Sequence, residues 1–165
     1  MTKREAVFSK DLENKKLTVV RTFDAPLKKV WSAWTESEKL DKWWAPKPYK
    51  AETKSMDFRA GGYWLYCMVG PQGERTWCKV TFHKIEAPTN FSCTTGFSDE
   101  QGVANTDFPA THWNNEFQEG TGTTTVTVNI SFDQLADMET IIAMGFQEGF
   151  TAGLVNLDEY LESGH

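Results

Sequence analysis

Few side chains in this sequence have the type and spacing needed for catalysis. His83 and His112 lie in segments of alternating polarity, and Arg59 could supply a positive charge. If all three converged on one cavity, they could support a cyclase- or hydrolase-type enzyme. Neither histidine has an evident acid–nucleophile partner, so a structural or surface role is the alternative. The nucleophile-elbow, phosphate-loop, dinucleotide-binding and HExxH motifs are absent, and we assign no catalytic residue.

The cysteines offer no metal or redox chemistry. Cys67, Cys78 and Cys93 have no CxxC spacing, and no cofactor motif accompanies them, so we expect no metal and no cofactor. Cys67 and Cys78 are equidistant from a turn predicted at Gln72-Gly73, and they would face each other across a hairpin. The two alternatives are a disulfide and a pair of small buried thiols, and thiols are the more common in a reducing compartment.

Aromatic residues are the strongest signal in the chain. They make up 13% of it, and four of its seven tryptophans fall between Trp31 and Trp44. Each such side chain can bury about 150–250 Å², so it must build a core or line a pocket. The helical spacing of Trp31 and Trp34 favours core packing, whereas Trp44 is predicted at a pocket mouth. The residues that we predict to bind a ligand are Trp44, Trp64, Tyr66, Trp77, Phe146 and Phe150.

Three glycines recur at every fourth position of a predicted helix. They are Gly145, Gly149 and Gly153. Each glycine destabilises a helix by about 1 kcal/mol relative to alanine. The presence of three on one side of the helix, a glycine stripe, therefore requires an explanation. Either it leaves room for a ligand beside the helix, or it allows the helix to approach the sheet closely. The spacing alone does not choose between these interpretations.

Composition excludes several classes of protein. A chain of 165 residues can bury a substantial core, and a net charge of −6 without a basic cluster argues against a nucleic-acid partner. No apolar run is long enough to span a bilayer, and the first residues lack a signal sequence. We therefore expect a cytoplasmic protein with no membrane span.

Hydrophobic periodicity predicts the elements that position these residues. Residues 1–15 are polar and aperiodic, which predicts a flexible N-terminal arm before a single domain over 16–165. A strand over 17–23 precedes two short tryptophan-containing helices. Six alternating segments between 49 and 132 predict further strands, and a long helix follows over 137–161.

The predicted order is β-α-α-β-β-β-β-β-β-α. It indicates an α+β fold, with a seven-stranded curved antiparallel sheet around a long C-terminal helix. One strand, over 63–69, is apolar on both faces. In the predicted register, Trp64, Tyr66 and Met68 share one face of the sheet with Trp77. Leu65 and Cys67 share the other face with Cys78. Either something covers each face, or one face is an adhesive surface.

Four sequence motifs are spread over residues 17–161. They are Ala25-Pro26-x-x-x-Val30-Trp31-x-Ala33-Trp34-Thr35 with Trp43-Trp44-x-Pro46, Asp57-Phe58-Arg59-x-Gly61-Gly62-x-Trp64, Ile85-x-x-Pro88, and Gly149-Phe150-x-x-x-Leu154-x-x-Leu157-x-x-Tyr160-Leu161. In combination they resemble the activator of heat-shock-protein-90 ATPase homologue-like family. That family belongs to the START-like, birch-pollen-allergen-like (SRPBCC) superfamily, which has the helix-grip fold.

The resemblance implies a cavity between the sheet and the C-terminal helix. Members of the superfamily bind lipids, sterols, polyketides or other apolar molecules, and some are cyclases or hydrolases. The eukaryotic namesake stimulates the ATPase of a chaperone, which implies a chaperone as a further partner. The family has no universal catalytic residues, so the resemblance implies none here.

Three hypotheses of function follow. The first is a non-enzymatic binder of a small hydrophobic or aromatic ligand, which aromatic side chains would bury. The second is a stress-related module that interacts with a chaperone, and it predicts an exposed apolar patch and a packed interior. The third is the cyclase- or hydrolase-type enzyme, which requires the histidines or Arg59 inside the cavity.

Overall fold

The computed structural model describes residues 5–163, over which the chain forms eight strands and four helices. The strands are β1 (Val7–Asp11), β2 (Lys16–Phe23), β3 (Lys50–Met56), β4 (Tyr63–Val69), β5 (Arg75–Glu86), β6 (Asn90–Ser98), β7 (Thr111–Glu119) and β8 (Thr124–Ser131). The helices are α1 (Leu27–Thr35), α2 (Ser37–Trp43), α3 (Leu135–Ala143) and α4 (Phe146–Glu162). Two helices therefore follow β2, and two follow β8.

All the strands belong to one open antiparallel sheet in the order β1-β2-β8-β7-β6-β5-β4-β3. The helices pack on one face of it. Val128 and Ile130 of β8 lie in the same buried cluster as Leu154 and Leu157 of α4, because both elements present their apolar side chains to this layer. The α+β class and the helix-grip fold predicted from the sequence are confirmed.

The sheet has one strand more than the sequence predicts. Residues 7–11, within the predicted flexible arm, form β1, which pairs with β2 from Val7–Val20 to Asp11–Lys16. β1 is an edge strand whose side chains are mostly exposed, so it lacks the alternation that marks the other strands. Residues 1–4 and 164–165 lie outside the described residues, and the division into arm and domain stays a prediction.

The predicted helix over 137–161 is divided in two. α3 ends at Ala143, and Gly145 has a φ of 87° as the residue preceding α4. This left-handed conformation suits glycine, which has no Cβ, and it breaks the run of helical hydrogen bonds. The backbone N–H of Gly145 instead donates to Ile142 O, three residues back, at 3.1 Å. The single long helix expected from the sequence is therefore wrong.

The hairpin of β4 and β5 differs in register from the prediction. Gly70 and Glu74 close its loop through a backbone hydrogen bond of 2.8 Å, which makes the loop longer than the predicted two residues. Cys67 consequently pairs with Trp77, and Tyr66 pairs with Cys78. A shift of one residue moves side chains to the opposite face, so Cys67 and Cys78 do not face each other. All three cysteines are free thiols, and the disulfide alternative is wrong.

The second apolar face of β4 is covered by the segment that follows β6. Leu65 and Cys67 point away from the main core, yet they are only 3% and 0% exposed. Gly102 lies against Leu65, since a Cβ placed on it would be 3.8 Å from a leucine methyl carbon. Lys54 Nζ donates to Glu100 O at 2.9 Å and ties the same segment to β3. This cover explains why β4 is apolar on both faces.

Candidate functional site

A cavity of about 290 Å³ lies between the sheet and the helices. The sheet contributes the side chains of Tyr66, Met68, Cys78, Phe97, Trp113 and Ile130. The helical side contributes Trp44, Ile141, Phe146, Gly149 and Phe150. None of the lining residues carries a charge, so the cavity is suited to an apolar guest.

Trp44 reaches the cavity because α2 ends just before it. Asn156 of α4 donates its Nδ2 hydrogens to Trp43 O at 3.3 Å and to Ala45 O at 3.0 Å, on either side of Trp44. Asn156 is only 8% exposed. The carbonyls at the end of a helix have no partner within it, and this amide supplies one. α4 therefore holds the segment that carries Trp44 in place.

A polar pair lies within the aromatic wall. Trp44 Nε1 donates to the Tyr66 hydroxyl at 2.8 Å, and the Tyr66 ring stacks on Trp64 with 4.0 Å between centroids. Burial raises the pKa of Tyr66 well above its ordinary value. Burial also raises the pKa of the neighbouring Cys78 thiol to about 11. Both groups are therefore neutral at physiological pH, and the cavity wall stays uncharged.

Four of the six predicted ligand-binding residues line the cavity. They are Trp44, Tyr66, Phe146 and Phe150. Trp64 lies behind Trp44, with 5.8 Å between the ring centroids, and lines a smaller cavity. Trp77 is on the opposite face of the sheet beside Cys67, with Lys54 Nζ 5.9 Å from its ring centroid. The one-residue shift of the hairpin is what removes Trp77 from the cavity.

The other tryptophans of the N-terminal helices pack in the core. Trp34 and Trp43 are 4% and 1% exposed, and their ring centroids are 5.0 Å apart. Trp31 packs edge-on against Phe117 at 5.0 Å. Core packing thus accounts for these three rings, and Trp44 differs from them by lining the cavity.

The sequence interpretation missed Trp113 as a lining residue. In β7, Thr111, Trp113, Asn115 and Phe117 alternate as buried positions. This period of two was visible in the sequence and would have placed Trp113 on the inner face. The Trp113 ring lies 5.6 Å from Phe150 and 6.1 Å from Trp44, between centroids, and completes the aromatic wall.

A family model described as activator of Hsp90 ATPase homolog 1-like protein matches residues 24–162. The chain belongs to this family. The match begins just before α1 and extends to the end of α4, so it includes every element that lines the cavity. No curated protein matches the chain.

Several solved structures resemble this family member over nearly their whole length. A protein from Arthrobacter aurescens, solved by NMR in solution, is 29% identical with a TM-score of 0.90, covering 95% of this chain and 91% of that chain. Protein Ms6760 from Mycobacterium smegmatis is 28% identical with a TM-score of 0.88, covering 97% and 99%. A protein from Staphylococcus epidermidis is 26% identical with a TM-score of 0.84, covering 96% and 95%.

The candidate catalytic residues of this family member do not line the cavity. His83 Nε2 lies 2.7 Å from Thr94 Oγ1, His112 Nε2 lies 3.1 Å from Asp133 Oδ1, and the exposed Arg59 pairs with Asp57. Within residues 5–163, no cluster of three or more histidine, cysteine and acidic side chains is placed to hold a metal ion. Over the same range, no helix is long and apolar enough to cross a membrane.

The two glycines within α4 have different surroundings. A Cβ placed on Gly149 would have no atom within 4 Å, because Gly149 faces the cavity. A Cβ placed on Gly153 would lie 3.2 Å from Trp44 O and 3.7 Å from Trp43 O. Gly149 therefore leaves space, and Gly153 allows close approach to the end of α2. The close approach at Gly153 is therefore to α2 and not, as the sequence had led us to expect, to the sheet, and room for a ligand at Gly149 stays a prediction.

The same substitution at these two glycines is expected to have opposite effects. Gly149→Ala should raise the free energy of unfolding by about 1 kcal/mol, because alanine is the better helix former. Gly153→Ala should lower it by about 1–2 kcal/mol, because the contact with the Trp44 carbonyl outweighs the gain in propensity. Urea denaturation of both variants measures the difference. Equal stabilisation by the two would contradict the close approach at Gly153.

Proposed function

We propose that this protein binds a small, uncharged, apolar or aromatic molecule in the cavity between the sheet and α4. The observation that carries the proposal is the cavity itself, which is about 290 Å³ in volume and lined without a single charged side chain. Ligand sites of small molecules are generally concave and mostly apolar, with a few polar groups that fix orientation. The Trp44–Tyr66 pair is such a group in this wall.

The cavity also favours this hypothesis over the other two. A module that acts only through its surface would be expected to have a packed interior, and this interior is open at Gly149. An enzyme would need reactive groups at the ligand, and His83, His112 and Arg59 are outside the lining. Binding by burial of apolar surface needs only the aromatic side chains that are present. A chaperone partner stays a prediction from the family.

Titration with a neutral apolar dye tests the proposal. N-phenyl-1-naphthylamine should bind with a saturable rise in fluorescence, because burial among apolar side chains removes it from water. Gly149→Leu should weaken its binding at least about tenfold, which corresponds to about 1.4 kcal/mol, because the new side chain occupies the open space of the cavity.

A matched variant separates occlusion of the cavity from other effects of leucine. Thr151 is exposed on the same helix, so Thr151→Leu should leave the dye affinity unchanged. Gly149→Leu should also unfold at higher temperature than the parent protein, because leucine is a better helix former than glycine. A wild-type protein that shows no saturable binding, or a Gly149→Leu variant that binds normally, would refute the proposed site.

A further inference from the structure

A cluster of hydrogen-bonded polar side chains lies on the outer face of the sheet. It occupies an open groove of about 540 Å³, lined among others by His83 of β5, Thr94 of β6 and His112 of β7. From the sequence, neither histidine has an evident acid–nucleophile partner, and the structure supplies both. His83 Nε2 lies 2.7 Å and His112 Nδ1 lies 3.0 Å from Thr94 Oγ1. On the far side of its ring, His112 Nε2 lies 3.1 Å from Asp133 Oδ1.

Strand pairing and a β-bulge bring these side chains together. Thr94 pairs with His112 on the neighbouring strand, so the two side chains share the outer face. On the other side of β6, the register of β5 shifts between Phe82 and Lys84, which makes His83 the extra residue of a bulge. A bulge redirects a side chain, and bulges are frequent beside active sites. The bulge thus accounts for a histidine on β5 that reaches the same hydroxyl.

Counting hydrogens assigns a direction to each contact. A carboxylate only accepts, so the contact with Asp133 places the hydrogen of neutral His112 on Nε2. Its Nδ1 then has a lone pair, which accepts the single hydroxyl hydrogen of Thr94. Thr94 has no other hydrogen to donate, so its oxygen accepts from His83 Nε2–H. Each member therefore donates to the next, in the order His83, Thr94, His112 and Asp133.

This order is that of an activated nucleophile. A hydroxyl becomes nucleophilic when a neighbouring imidazole can take its proton and a third group orients that imidazole. Thr94, His112 and Asp133 occupy these positions at hydrogen-bond distances. His83 adds an N–H donor beside the attacking oxygen, where negative charge would develop on a carbonyl under attack.

The cluster is open to small molecules. The side chains of His112 and Asp133 are 41% and 68% exposed, His83 is exposed, and Thr94 is half-buried. None of the four lines the main cavity. The rest of the groove is largely polar, and its lining includes Lys16, Ser92, Asn114, Glu116, Asn129 and Ser131. Such a surface suits a small substrate with polar groups rather than an apolar ligand.

We propose that this groove hydrolyses small carboxylic esters, with Thr94 as the nucleophile, His112 as the general base and His83 as the donor to the oxyanion. Asp133 is a positioning residue, because it acts through His112. This activity goes beyond ligand binding in the cavity and does not rest on it, since the two sites lie on opposite faces of the sheet.

The reaction is a double displacement that consumes one water. Thr94 Oγ1 forms a bond to the ester carbon while its proton passes to His112 Nδ1, and the carbonyl oxygen takes the π electron pair and accepts from His83. When this intermediate collapses, the bond to the alcohol oxygen breaks, and the alcohol leaves with the proton from His112. Water then attacks the acyl-threonine by the same route, which releases the carboxylic acid and restores Thr94.

Hydrolysis of p-nitrophenyl acetate by the whole protein tests the proposal. We expect saturable release of p-nitrophenol. Thr94→Val keeps the shape of the side chain and removes the nucleophile, so it should lower kcat/KM at least about a hundredfold, as should His112→Gln. Asp133→Asn should lower kcat and leave KM unchanged, because an amide can hold the imidazole in the wrong tautomer. Thr127→Val, on the same face of the sheet but outside the groove, should keep the wild-type rate.

A second measurement uses the wild-type protein alone. When the reaction is stopped with acid, peptide mass spectrometry should find the acetyl group on Thr94, and excess N-phenyl-1-naphthylamine should not slow the hydrolysis. The inference is overturned if Thr94→Val hydrolyses the ester as fast as the wild type, or if the acetyl group is found only on lysine or histidine side chains. Inhibition by the dye would also overturn it, because hydrolysis would then take place in the cavity. None of these results affects the dye titration that tests the proposed function.

Discussion

Replacing Asn156 with leucine is expected to lower the free energy of unfolding by about 2–4 kcal/mol. The side chain is 8% exposed and donates to the carbonyls of Trp43 and Ala45. Leucine has a similar volume, so the substitution leaves the packing largely intact and removes the donor. The carbonyl of Trp43, at the end of α2, and that of Ala45, just beyond it, would then lose this donor, which is the main cause of the loss. Chemical denaturation monitored by circular dichroism measures it.

Two further variants identify the cause of this loss. Asn156→Asp keeps the shape but replaces the donor with an acceptor that faces the same carbonyls, so it should destabilise the protein at neutral pH at least as much as leucine does. Thr151→Leu, exposed on the same helix, should change the stability by less than about 0.5 kcal/mol. A loss below that value for Asn156→Leu would show that the amide does not tie α4 to α2.

Replacing Asp158 with alanine is expected to lower the free energy of unfolding by about 2–4 kcal/mol, because it removes a carboxylate that accepts two hydrogen bonds from a buried guanidinium. Arg21 of β2 is only 4% exposed, and its Nη1 donates to Asp158 Oδ1 at 3.0 Å while Nη2 donates to the other carboxylate oxygen. The pair joins β2 to α4 across the core layer. Thermal and urea denaturation of Asp158→Ala give the measured loss.

The neighbouring residue supplies a matched control for this pair. Glu159 forms an ion pair with Lys47 at 2.9 Å, but the two side chains are 58% and 69% exposed. Exposed ion pairs contribute about 0–1 kcal/mol, so Glu159→Ala should have little effect. The double variant Arg21→Met with Asp158→Leu should be more stable than Asp158→Ala alone, because no charge then remains buried. A double variant no better than the single would contradict this explanation.

Periodicity in the sequence was sufficient to predict most of the elements, because most strands and helices bury one face. β1 was missed because its side chains are largely exposed at the edge of the sheet, where pairing of the backbone defines the strand. The break at Gly145 was missed for a different reason. Gly145, Gly149 and Gly153 look alike in the sequence, and only their tertiary surroundings determine which one adopts a positive φ.

The candidate site was predicted in part for similar reasons. Trp44, Phe146 and Phe150 lie in the cavity lining because helical spacing determines the face that a side chain occupies, and their role in binding stays a prediction. On the strands, the face that a side chain occupies depends on the register of pairing. The loop between β4 and β5 is longer than predicted, so the strand pairing at Tyr66 differs from the prediction and Trp77 lies on the face opposite the cavity.

The order of the strands in the sheet affects when the cavity forms during folding. β2 pairs with β8, so that Thr18 meets Asn129, which is 111 positions away in the chain. Contacts between distant residues form slowly, because a long loop must close before they contribute. The walls of the cavity run from Trp44 to Phe150, so they are complete only after α4 has docked. We therefore expect the cavity to be among the last features of the fold to form, after the long-range strand pairs.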